Sequence, residues 1–122
     1  MPSKNKQFDL VERTATFAKK CRLLVSSLNP TTNNFEDGRQ LIKSSGSVAA
    51  NYIEANEAIS RKDFFYRIKL SRKEAKESSL WLRLLDTKGD CTLNELRISL
   101  YKEGLELTKI FSTIALKDKA LR

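Results

Sequence analysis

Apolar residues recur along this chain at intervals of three and four, the spacing that lines up one face of an α-helix. Nowhere do they alternate with the period of two that marks a half-buried strand. Leu10, Thr14, Phe17, Cys21, Leu24 and Leu28 form the first such line and predict a helix over about 9–28. Asn29-Pro30 closes it, because proline clashes with the preceding turn. Asn33 or Asn34 can cap a second helix over about 35–58, seamed by Leu41, Ser45, Val48, Tyr52, Ala55 and Ile59. Ser60 or Lys62 breaks that pattern, and a third helix is expected over about 63–86, with Asp63 at the positive end of its dipole. It carries two lines, Phe64, Ile68, Ser71, Ala75, Ser78, Leu82 and Leu85, and beside them Leu70, Glu74, Glu77, Trp81 and Leu84, which implies two packing partners. Lys88-Gly89-Asp90 reads as a turn, and Thr92 with Glu95 matches a capping box that opens a fourth helix over about 93–117. Leu93, Leu96, Leu100, Leu107, Ile110 and Ile114 mark one side of it, and Ile98, Tyr101 and Leu105 another. Four stripes joined by short turns are buried most simply in an all-α, antiparallel up-and-down four-helix bundle.

The second helix departs from the rest at its centre. Lys43-Ser44-Ser45-Gly46-Ser47-Val48-Ala49-Ala50-Asn51-Tyr52-Ile53-Glu54-Ala55 sets small residues and lone polar groups where a core helix carries Leu. Small side chains let two helix backbones approach closely, within one subunit or between subunits. Asn51 and Glu54, three apart, share a face, and at an inward position each needs a partner. A polar network to the third helix is expected, with Ser71, Arg72, Glu74, Ser78 and Arg83 as candidates.

Length and composition narrow the picture. The 122 residues suit one domain over 1–122 with a single core, 1–7 and 118–122 being expected as flexible tails. No apolar run approaches the ~20 residues of a membrane span, and the polar opening Met1-Pro2-Ser3-Lys4 lacks a secretory h-region, so a cytoplasmic protein is expected. Cys21 falls on the first apolar stripe and Cys91 in a turn, which reads as two free thiols. Lys and Arg number 23 against 15 Asp and Glu, a net charge of +8 that draws polyanions. Residues 61–88 concentrate it, with nine basic against four acidic side chains.

Catalytic constellations are lacking. With no histidine, both Ser-His and Cys-His pairs are absent, and so is the Glu-x-x-His that di-iron bundles need, although Glu54 with Glu57 and Glu74 with Glu77 stand three apart. Gly38, Gly46, Gly89 and Gly104 form no phosphate loop. Neither an enzyme, nor a metal, nor a cofactor is expected.

Three segments in order, Asn51-Tyr52-Ile53-Glu54-Ala55, Asp63-Phe64-Phe65, and the run Leu70-Ser71-Arg72-Lys73-Glu74-Ala75-Lys76-Glu77-Ser78-Ser79-Leu80-Trp81-Leu82-Arg83-Leu84-Leu85, resemble the 23S rRNA-intervening-sequence (S23-like) proteins. The likeness spans roughly residues 8–117. It implies a four-helix bundle and, from relatives, a ring-like homopentamer. It also implies kinship with the accessory variability determinant of diversity-generating retroelements, a basic pentamer that binds nucleic acid and reverse transcriptase. Asn51, Glu54, Glu74, Glu77 and Trp81 occupy the family's characteristic positions, which look structural in relatives. Ala55 stands where many relatives have glycine.

The resulting expectation is a non-enzymatic, oligomeric bundle that holds RNA or DNA by its phosphates through Arg61, Lys62, Arg67, Lys69, Arg72, Lys73 and Lys76. Asn51, Glu54, Glu74 and Glu77 are expected as a structural polar network. Leu70, Trp81, Ile98, Tyr101 and Leu105 are surplus apolar positions expected at a subunit interface. The competing expectation is a protein-interaction module without a nucleic-acid role.

Overall fold

A computed structural model describes residues 2–120, with side chains for 10–119. It contains four helices, α1 (Pro2–Ser27), α2 (Thr32–Asn56), α3 (Arg61–Leu84) and α4 (Cys91–Ala120), and no strand among the described residues. Each helix packs on the next in sequence and α4 returns to α1, so the four close a square. Neighbours run antiparallel, as cross-helix pairs such as Ser44 with Ser78 and Ser71 with Val48 require.

The helix ends differ from the expected bounds because other residues supply the caps. Thr31, not Asn33 or Asn34, caps α2, its hydroxyl accepting from the Asn34 N–H at 3.1 Å. Ser60 does the same for α3 through the Asp63 N–H at 3.0 Å. For α4 the Asp90 carboxylate accepts from the Leu93 N–H at 3.0 Å, starting the helix two residues ahead of the Thr92–Glu95 box. Because α2 ends at Asn56, Ile59 leaves the seam and is fully exposed. At the outer ends α1 begins at Pro2, whose fixed φ suits a first helical position, so residues 2–7 continue the helix. The far end of α4 reaches Ala120. The other tail positions, 1, 121 and 122, lie outside the described residues.

Asn34 has a different task. It is 3% exposed and its amide donates to the Asn29 carbonyl at 3.2 Å and the Asp86 carbonyl at 2.8 Å, while its Oδ1 accepts from the Asp86 N–H at 2.9 Å. One side chain thereby bolts the α1–α2 and α3–α4 connections together. Capture of Asp86 and burial of Leu85 in extended backbone end α3 at Leu84.

The core is the predicted set of inward lines, Phe17, Cys21, Leu24, Leu41, Val48, Ile68, Ala75, Leu82, Leu100 and Leu107, joined by Phe111. Tyr52 and Phe111 meet across it with ring centroids 5.7 Å apart. The small-residue centre of α2 is used within the subunit. Ser44 and Ser78 bond at 2.8 Å and the Ser71 hydroxyl donates to the Val48 carbonyl at 3.0 Å, which holds α2 and α3 close. Among the described residues no buried side-chain nitrogen or oxygen lacks a hydrogen-bond partner. Two glycines admit close contacts: a Cβ on Gly38 would stand 2.8 Å from Val25 Cγ1, and one on Gly104 would stand 2.5 Å from Ser79 Oγ.

Candidate nucleic-acid interface

The outer surface of α3 organises the basic side chains. Residues seven apart fall nearly in line on a helix, and Lys62, Lys69, Lys76 and Arg83 are seven apart and exposed. At a rise of ~1.5 Å per residue the file runs about 31 Å. Its side of α3 is fixed by contacts. Arg61 and Lys69 reach Asp118 on α4, whereas Arg67, Ser71 and Ser78 bond α2.

The seven expected phosphate-binding residues therefore divide. Lys62, Lys69 and Lys76 belong to the file, with exposed Lys73 on the crest beside it, 4.0 Å from Glu77, and half-buried Arg72 on its core side. Arg61 is engaged: its guanidinium donates to the Asp118 carbonyl at 2.8 Å, lies 3.3 Å from the Asp118 carboxylate and stacks over Phe65. Arg67 turns to α2, donating to Asn51 Oδ1 at 3.2 Å, with its guanidinium carbon 5.7 Å from the Tyr66 ring centroid. Arg83, expected as a partner for Asn51 or Glu54, instead completes the file. Its seven-residue spacing from Lys76 was the available signal.

The expected polar network also divides. Asn51 joins Arg67 and donates to the Ser47 carbonyl at 3.0 Å, while Glu54 is exposed and makes none of these bonds. Glu74 is half-buried. Burial, then the charge of Glu77, pushes its carboxyl above the ordinary value of 4.5, against Lys73 and Lys43.

Of the five expected interface residues, Leu70 and Trp81 are half-buried on the α2 side of α3. Ile98 and Leu105 are exposed on α4, with half-buried Tyr101 between them. Two separate strips result, one on α3 and one on α4, where Ile98 also lines the groove toward α1. Exposed Leu80 and Leu84 lie on the crest itself and were not anticipated as surface.

An open groove of about 790 Å³ separates α1 from α4, floored by Phe17 and Leu100 and bridged by Arg13, which donates to both Glu103 carboxylate oxygens at 2.7 and 2.8 Å. Cys21 is buried and its thiol pushed up to about 12 by burial, against Ser45 and Arg22, whereas Cys91 is exposed. Among the described residues no cluster of three or more Cys, Asp or Glu could hold a metal, and no helix is long and apolar enough to cross a membrane.

No curated relative matches the chain. A crystal structure of a protein of unknown function from the S23 ribosomal protein family of Bacteroides thetaiotaomicron is similar, with 29% identity and a TM-score of 0.77. The match covers 90% of this chain and 97% of that one. The profile of the 23S rRNA-intervening sequence protein family matches residues 6–113. Over nearly its whole length, in sequence and in helix arrangement, the chain belongs to the 23S rRNA-intervening sequence protein family.

Proposed function

We propose that this bundle binds nucleic acid by its phosphates along α3, acting in the cytoplasm by binding and not by catalysis. The observation that carries the reading is the file Lys62, Lys69, Lys76 and Arg83, exposed on one helix surface within the most basic segment of a chain of net charge +8. Cations on a rigid helix, with no element entering a groove, give affinity dominated by counterion release and little base readout. Binding measured by fluorescence anisotropy should fall steeply between about 50 and 200 mM salt. The variant Lys62→Glu with Lys76→Glu should weaken it at least tenfold. Reversing Lys19 and Lys20, exposed on α1, changes net charge equally and should have much less effect. Equal losses from both double variants refute the assignment to α3.

A second reading concerns assembly, and the two apolar strips favour it. A ring of identical subunits joins two different patches head to tail, and Leu70 with Trp81, and Ile98 with Leu105, provide two. We infer a cyclic homo-oligomer, with the pentamer of relatives as the expected number and a reverse transcriptase as a partner to test by pull-down. Leu70→Glu and Leu105→Glu should each give monomers in light scattering, and their equimolar mixture should give dimers through the one intact pairing. A wild-type monomer at micromolar concentration, or a mixture that stays monomeric, refutes the ring. Salt-insensitive capture of a protein without nucleic-acid binding would support the interaction module instead.

A further inference from the structure

The basic crest of α3 contains an aromatic residue that the bundle does not use. Tyr66 is 56% exposed and lies four residues after Lys62, three before Lys69 and seven before Lys73, so three exposed cations line one side of it on the same helix surface, Lys69 also 3.5 Å from Asp118 and Lys73 4.0 Å from Glu77. Its ring is also oriented. The Arg67 guanidinium carbon stands 5.7 Å from the ring centroid, and Arg67 is tied to Asn51 Oδ1 at 3.2 Å, so α2 holds the cation that holds the ring. A scattered surface tyrosine would need no explanation, but one held by a tied arginine and flanked along one side by cations offers a preorganised aromatic surface at low ordering cost.

We propose that the nucleic acid held on α3 is a single strand, with Tyr66 stacking one unpaired base while Lys62, Lys69 and Lys73 take the flanking phosphates. This rests on the phosphate-binding reading above and narrows it to a ligand class. In a duplex the base faces are already stacked on one another, and in A-form RNA the deep, narrow major groove keeps a helix surface from the bases, so a side chain there meets sugar and phosphate. An unpaired base presents the π-face that an exposed aromatic can take, with little dependence on sequence.

The test uses the full chain, a fluorescein-labelled 20-nucleotide single-stranded RNA and the same RNA annealed to its complement. Tyr66→Phe keeps the ring, and Tyr66→Leu keeps an exposed apolar side chain without it. The single strand should bind more tightly than the duplex. Tyr66→Phe should match the wild type. Tyr66→Leu should lose roughly 5- to 150-fold on the single strand, the range for removing one base–aromatic stack. It should leave duplex binding and the salt slope unchanged, since no phosphate contact is lost. If Tyr66→Leu binds as Tyr66→Phe does while Lys62→Glu with Lys76→Glu weakens binding, the stack is refuted and the phosphate reading survives. Equal losses on both probes would make Tyr66 structural and also refute the stack. Binding that is absent, or indifferent to the lysine reversals, with either probe would overturn the phosphate reading itself.

Discussion

Replacing Asn34 by leucine removes the bolt between the two connections while keeping side-chain size. Three hydrogen bonds disappear, at 3.2, 2.8 and 2.9 Å; the Asp86 N–H and carbonyl lose their partner, while the Asn29 carbonyl keeps the Thr31 N–H at 2.9 Å. At a net worth of about 0.5–1.5 kcal/mol per bond the loss is roughly 2–4 kcal/mol, toward the upper end where the freed groups stay dry. A domain of this size shifts its Tm by about 4 °C per kcal/mol, so a fall of ~8–16 °C is expected in thermal unfolding followed by circular dichroism. Asn33→Leu is the matched control. Asn33 neighbours Asn34 in α2 but is exposed, so its replacement should stay within about 0.5 kcal/mol of wild type. Both variants should be compared at one protein concentration, because an assembling chain has a concentration-dependent Tm. If Asn34→Leu unfolds within 2 °C of Asn33→Leu, the geometry around Asp86 does not carry the stability assigned to it.

Three further outcomes follow from the packing. Gly104→Ala should destabilise the wild type by up to ~2 kcal/mol, overpacking against Ser79 Oγ outweighing a helix-propensity gain of about 1 kcal/mol. In a Ser79→Ala background, where the nearest atoms recede to 3.7 Å, the same change should stabilise, and urea titration of the four proteins tests that reversal of sign. Because folding raises the Glu74 carboxyl, its contribution is fully present below the ordinary value of 4.5 and is lost as pH rises through the raised value. Glu74→Gln should therefore stabilise at pH 7, by roughly 0.5 kcal/mol or less given solvent screening, and lose that advantage near pH 4; an unchanged pH profile of urea midpoints refutes this. Finally, a thiol reagent should label Cys91 at once and Cys21 only on unfolding, and two equally fast equivalents in the native protein would contradict the burial of Cys21.

The inward lines were legible because a helix must repeat its buried face. Phe17, Cys21, Leu24, Leu41, Val48, Ile68 and Leu82 stand at such positions, and all are buried. The caps were less legible, since Thr31, Asn33 and Asn34 can all serve chemically, and only the position of Asp86, 52 residues away, frees Asn34 for a tertiary role. At the candidate interface, composition located the basic segment, but charge alone does not say which way a side chain turns. Arg67 lies among the lysines in sequence, yet its place on α3 brings it to Asn51 on α2. Arg61 is likewise drawn to Asp118 by the return of α4, a contact 57 residues apart.

The spacing of Lys62, Lys69, Lys76 and Arg83 has a geometric consequence. Seven residues fall short of two full turns, so each successive charge lags by about 20° on a straight helix, some 60° from first to last. The line of charge thus starts near the outermost ridge and drifts toward the seam with α4, where Leu82 accepts from Arg97 and Ser79 meets Gly104. A long anion following it is led across the molecule on a slant of fixed hand, so the sense of that crossing is already written into the rotation of one helix.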